Sequence, residues 1–227
     1  PTRMAKHLAR DLDHLQQRIL AMAGAVEAAV DHAAQALRNR DPDEAAAVVA
    51  GDEAIDNLEN ALQEECLKVL ALNQPVAGDL RRICAVISIT TDLERIGDLA
   101  VDIAERAVAL AGDAALPTPD KIGRLADVVA GMTAQALDAF VKLDARQAWR
   151  VIRLDDEADR LHVEVIGEIM AAMKADPAAV EPGVSLFSAA RHFERIGDHA
   201  TNIAEDVIYL IEGEIVRHRT TRGGAAG

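Results

Sequence analysis

Apolar residues recur every three to four positions over long stretches of this chain, the spacing of one face of a helix. Leu93, Ile96, Ala100, Ile103, Ala107 and Leu110 form one such stripe, and Phe193, Ile196, Ala200, Ile203, Val207 and Leu210 repeat it. Breaks in the pattern predict six helices. The first runs from about Arg3 to Arg38. Asp41, with Pro42 next and Glu44 three residues on, reads as a capping box opening a second helix that continues to about Leu72. Asn73-Gln74-Pro75 ends it, and a third runs from near Val76 to Ala111. Gly112-Asp113 and Leu116-Pro117-Thr118-Pro119 read as a linker, with Thr118 and Pro119 capping a fourth helix that ends near Leu143. Asp144 with Gln147 is a second capping box and starts the fifth. Asp176-Pro177 and Glu181-Pro182-Gly183 separate it from the sixth, which ends near Gly213. Connections this short favour antiparallel neighbours, so each set of three helices should form an up-down-up bundle.

An internal repeat decides the architecture. The twelve residues from Glu94 to Glu105 match those from Glu194 to Glu205 at nine positions, one hundred residues apart. Upstream the offset is 103: Asp52, Asp56 and Leu58 align with Asp155, Asp159 and Leu161, and Asp41 with Asp144. The difference falls in the turn around Asn73 to Pro75. The expectation is an all-α chain of two tandem three-helix bundles, residues 1–113 and 114–217, followed by a flexible tail over 218–227.

Composition agrees with that fold. Half of the 227 residues are hydrophobic but only five are aromatic, too few for a sandwich or barrel core, and about a fifth are alanine, the best helix former. The 24 basic and 38 acidic side chains leave a net charge of −14. Such a chain repels phosphate backbones and has few rings for base stacking, which argues against nucleic-acid binding. Cys66 and Cys84 fit neither a CxxC motif nor a disulfide framework. No apolar leader stands at the N-terminus and no apolar run approaches the ~20 residues of a membrane span, so the reading is a soluble cytoplasmic protein.

The acidic residues are not scattered. Glu94, Asp98 and Asp102 stand four apart, off the apolar stripe, and Glu194, Asp198 and Asn202 repeat them. The second helix offers Asp52, Asp56 and Glu59, and the fifth offers Asp155, Asp159 and His162 at the aligned positions. Stacked like charges cost a helix about 0.2–0.5 kcal/mol per pair. Such a row is either a solvated acidic face or half of a cation site completed by a neighbouring helix. An all-oxygen set suits hard ions, and His162 widens the choice to zinc. Gly97 and Gly197 sit inside these helices, for close packing or for backbone approach to an ion. His192 and His199 flank the second row as surface residues, and Trp149 packs. No Walker-A loop, GxGxxG, HExxH or Glu-x-x-His occurs, and no nucleophilic triad has support in the sequence.

The doubled Glu-Arg-Ile-Gly-Asp segment, with Gln74-Pro75-Val76-Ala77-Gly78-Asp79-Leu80-Arg81, resembles the PhoU family over nearly the whole chain. These are accessory regulators of bacterial phosphate-specific transport. The resemblance implies two three-helix bundles carrying multinuclear iron or zinc clusters, held by Asp52, Asp56, Glu94 and Asp98 and by Asp155, Asp159, Glu194 and Asp198. It also implies dimerisation, contact with the phosphate ABC transporter and with the sensor histidine kinase of the phosphate regulon, and repression of that regulon and of uptake. Asn202, standing for Asp102, is expected to leave the second cluster one charge short. Asp79 and Arg81 lack counterparts in the second copy, so they are either partner contacts or a turn-stabilising ion pair. Two functions follow: a non-enzymatic signalling adaptor, or a metal-dependent phosphate-ester hydrolase or metal store built on the acidic clusters.

Overall fold

A computed structural model of the chain describes residues 3–112, 115–213 and 216. Six helices follow one another: α1 (Arg3–Asn39), α2 (Pro42–Asn73), α3 (Ala77–Ala109), α4 (Asp120–Lys142), α5 (Ala145–Ala175) and α6 (Val180–Glu212). A 3-10 turn over Pro177–Ala179 precedes α6, and no strand occurs among the described residues. The boundary placed between residues 113 and 114 and the tail over 218–227 lie outside the described residues.

Local chemistry sets the helix ends. Asp41 accepts hydrogen bonds from the Asp43 and Glu44 backbone N–H groups at 3.0 and 3.2 Å, and Asp144 accepts one from Gln147 at 3.1 Å. Both acids thus satisfy donors that a helix start leaves open. The return half of each expected capping box is missing for one reason. The Asp41 and Asp144 N–H groups already donate to Ala36 and Ala139 in the preceding helix. Glu44 is free to meet His32 instead, and Gln147 donates to Asp138 and to the Gln135 carbonyl. Two expected boundaries move. Thr118 does not cap α4; Pro119 holds that position without a side-chain bond. Glu181-Pro182-Gly183 does not precede α6 but forms its first turn, where proline gives up an N–H that has no helical partner anyway. Gly183 makes room there for α5: a Cβ would lie 2.6 Å from Met173 Cγ and would have to displace that side chain.

The chain folds as two three-helix bundles, α1–α3 and α4–α6, as the repeat predicts. α3 packs along α6 and α1 meets α4, so the buried apolar residues of both bundles make one contiguous core. The six residues of the first stripe are fully buried, and Phe193, Ile196, Ala200, Ile203 and Val207 repeat this in the second. Trp149 packs partly buried against that core. Cys66 is buried and Cys84 exposed, both free, and burial pushes the Cys66 thiol up to about 11. No helix among the described residues is long and apolar enough to cross a membrane.

Candidate metal centres

Antiparallel packing of α2 on α3 brings the two acidic rows of the first repeat together. Asp52, Asp56 and Asp98 each place a carboxylate oxygen within 4.8 Å of the others. Glu59 and Glu94 join them, since each feels the charges of Asp56 and Asp98. Burial, then these like charges, hold the Asp52, Glu59 and Glu94 carboxyls above their usual range. Among the described residues Arg95 is the one cation in close contact, 3.3 Å from Glu94 and 3.1 Å from Asp98. Gly97 lets the helices approach this closely. A Cβ there would lie 3.3 Å from two carbon atoms of Ile55 and 4.0 Å from Asp52 Oδ1. The close packing and the acid cluster therefore share one residue.

The residues present fit a cation. Asp52 Oδ1 is buried without a hydrogen-bond partner, an arrangement folded proteins normally avoid, and Glu94 Oε2 is met only by the Arg95 guanidinium. Five carboxylates clustered around one arginine are the oxygen-rich donor set that hard ions take. A bound metal would supply the positive charge that this cluster lacks.

The second repeat builds its cluster from α5 and α6. Asp155, Asp159 and Asp198 interact, and burial followed by those neighbours pushes Asp155 up to about 6. Glu194 is raised for the same reasons. Among the described residues this trio is not drawn as close as the first. His162 stands where Glu59 does. Burial, then the Arg191 charge, hold it below the usual histidine range, and its Nε2 is buried with no hydrogen-bond partner. A Cβ on Gly197 would meet Val129 on α4 at 3.3 Å and Ala158 and Asp155 Oδ1 on α5 at 3.8 Å, so here the tight contact is with the third helix of the bundle.

Asp102 and Asn202, expected in the clusters, make contacts across the seam between the repeats. Asp102 Oδ2 lies 3.6 Å from His192 Nδ1 on α6, and Asn202 donates to Asp92 on α3 at 3.3 Å. Each residue four apart on a helix is turned by about 40°, so a row of three spans about 80°. The last member therefore faces the neighbouring repeat instead of the cluster. His199 Nδ1 also meets Asp92 Oδ1, at 2.8 Å. The two histidines expected at the surface are mostly covered and join the repeats. Exchanging the two repeats carries the Asp102–His192 pair onto Asn202–Asp92, so the bundles are related by a pseudo-two-fold axis. The sequence held a signal for this seam: positions 92, 99 and 102 differ between copies in complementary ways.

Asp79 sits in the first turn of α3, exposed, and Arg81 is half-buried with its Nε lacking a hydrogen-bond partner. They form no ion pair with each other. Arg82 instead reaches Gln16 on α1.

Comparison with known proteins places these features in context. Residues 19–107 and 122–207 each match the family described as PhoU domain. The phosphate-specific transport system accessory protein PhoU homolog of Pseudomonas putida is 40% identical over 92% of this chain and 82% of its own length. That of Aquifex aeolicus is 39% identical over 93% of this chain and 96% of its own. A crystal structure of PhoU from Pseudomonas aeruginosa matches with a TM-score of 0.88 and 38% identity, covering 91% of this chain and 99% of the other. The phosphate transport system regulatory protein PhoU from Streptococcus pneumoniae matches with a TM-score of 0.87 and 28% identity, over 92% of this chain and 99% of its own. These relatives are named as accessory or regulatory proteins, not as enzymes.

Proposed function

The chain belongs to the PhoU family, and from that premise we propose that it is a metal-binding negative regulator of phosphate uptake and phosphate-regulon signalling. It works by contact, as a cytoplasmic adaptor between the ATPase subunit of the phosphate ABC transporter and the sensor histidine kinase. The observation that carries this reading is the pair of carboxylate clusters, each astride a helix pair and each holding orphaned buried ligand atoms. They sit in a chain whose relatives are named for phosphate-specific transport. Multinuclear iron or zinc is the expected occupant, and a homodimer the expected assembly.

Charge limits how such a protein reaches the membrane. At −14 it is repelled by anionic lipid, so association depends on a protein partner or on bridging cations. Asp79 and Arg81 are the proposed partner contact, since neither is engaged with the other and the second repeat has no equivalent turn.

The test is retention of the transporter ATPase and the sensor-kinase domain by the purified chain, with and without phosphate and metal. Metal-dependent retention that responds to phosphate supports the adaptor. Loss of neither partner on chelation, together with turnover of phosphate esters by the loaded protein, would replace it with the hydrolase.

A further inference from the structure

α5 carries a basic stripe that the repeat does not account for. Arg146, Arg150, Arg153 and Arg160 are spaced four, three and seven apart, so they lie along one side of the helix, and all four are exposed. At the offset of 103 the first repeat has Asp43, Ala47, Ala50 and Asn57 in their places. Arg124 on α4 is exposed on the same side, since it and Arg160 both act on Glu164. A chain with 38 acids against 24 bases has no shortage of carboxylates to neutralise such a row. Nearby lysines are paired: Lys121 meets Glu164 and Glu168 at 2.9 and 2.8 Å, and Lys142 meets Asp138 at 2.7 Å. Among the described residues, however, Arg146, Arg150 and Arg153 make no ion pair, and Arg160 reaches Glu157 only at 3.9 Å.

The row is not purely polar. Trp149, the chain's single tryptophan, stands between Arg146 and Arg150, half-buried, where the first repeat has Ala46. Leu143, between α4 and α5, is 51% exposed. Arginine and tryptophan are the residues in which binding energy concentrates at protein interfaces, whereas lysine is depleted there. A guanidinium grips a carboxylate through two parallel hydrogen bonds and keeps its charge at any working pH. Anionic lipid is a poor occupant because of the net charge of −14.

Resting on the adaptor reading above, we infer that this face of α5 is a docking surface for an acidic segment of a protein partner. The segment sets Asp or Glu side chains along Arg146, Arg150 and Arg153 and an apolar residue against Trp149 and Leu143. An adaptor that holds two proteins at once needs two surfaces. The Asp79–Arg81 turn lies in the first repeat, and the arginine row gives the second repeat one of its own.

In the full chain, Arg150→Glu with Arg153→Glu reverses the row. Glutamate is about as good a helix former as arginine, so the fold should hold, with circular dichroism as the check. Arg150→Ala with Arg153→Ala takes its place if the reversal disturbs the helix. Retention of the transporter ATPase and of the sensor-kinase domain is measured for wild type and variant over a range of salt. Wild-type retention of one of them should weaken as salt rises, and the variant should lose that partner by at least about tenfold while keeping the other. Arg150→Lys with Arg153→Lys should recover only part of the binding, since charge returns without the planar fork. A variant that keeps both partners, loses both alike, or loses only binding to phosphatidylglycerol vesicles would overturn the docking surface. Wild-type protein that holds neither partner would overturn the adaptor reading itself, and the surface with it.

Discussion

His192 on α6 and Asp102 on α3 face each other across the seam between the repeats, Nδ1 to Oδ2 at 3.6 Å. The symmetry-related position is held by Asp92, which accepts from both His199 and Asn202. The Asp92 side chain is 13% exposed, whereas that of Asp102 is 47% exposed. His199→Ala should therefore cost about 1–3 kcal/mol in urea unfolding, since it strips a buried carboxylate of its shorter bond. Asp102→Ala should cost less than about 1 kcal/mol, as expected of a contact that is open to water and longer than a hydrogen bond. Equal costs would show that burial does not set the strength of the seam.

Gly97→Ala gains helix propensity but presses a methyl on Ile55. Ile55 is buried and cannot swing away, so the net effect should be a loss of about 1 kcal/mol, within the usual range for overpacking. Combining it with Ile55→Ala should recover part of that loss, giving clear non-additivity in a thermal melt. Strict additivity would mean that the two groups do not meet.

Stability of the metal-free protein should depend on pH through Asp155. Its folded value is about 6 against 3.8 for the free group, so the folded state favours the protonated form. That contribution is complete below about pH 4 and is lost as pH rises through 6. At this half-open site, screening leaves a loss of about 1 kcal/mol. Asp155→Asn should flatten the profile between pH 4 and 6, as followed by urea midpoints in chelator. A profile unchanged by the substitution would remove Asp155 as its source.

Metal should reverse that trend. Ligand carboxylates bind as anions, so affinity rises over the same pH window, and added metal should raise the melting temperature more at pH 7 than at pH 5. Asp98→Asn should abolish the stabilisation from the first cluster. In chelator the same change should be neutral or stabilising by a few tenths of a kcal/mol, because a like-charge contact disappears.

Asp79→Ala with Arg81→Ala should leave helicity and metal content unchanged while derepressing the phosphate regulon in phosphate-rich medium. Reporter expression at matched protein levels measures it. Normal repression by that variant would remove the turn from the mechanism, and normal repression in a deletion strain would remove the proposed function.

Much of this was legible along the chain. The six helices and the two bundles followed from the stripes and the repeat, and Asp41 and Asp144 announced their own caps. The acids that come together from separate helices followed from the same repeat, since aligned rows on neighbouring antiparallel helices must meet. The first turn of α6 was not legible, because Pro182 and Gly183 break helices everywhere except at a start or a close crossing. The seam was missed for a different reason. A row of acids four apart looks straight on paper, but it winds around the helix. Asp102 and Asn202 consequently make contacts with the facing repeat, and His192 and His199 came in from the presumed surface to meet that seam.

The distribution of charge at that seam gives each half of the chain an identity. In these two contacts the acids, Asp92 and Asp102, come from the first repeat, while the second supplies His192, His199 and Asn202. Two copies of the first repeat brought together about the same axis would set Asp92 against Asp102 twice over. Two copies of the second would set histidine against asparagine, with no carboxylate between them. Only unlike halves set each of these two carboxylates against a histidine. The duplication has thus become a one-way commitment: neither half is its own best mate, and a neighbouring molecule's first repeat is a poor substitute for the second repeat on the same chain.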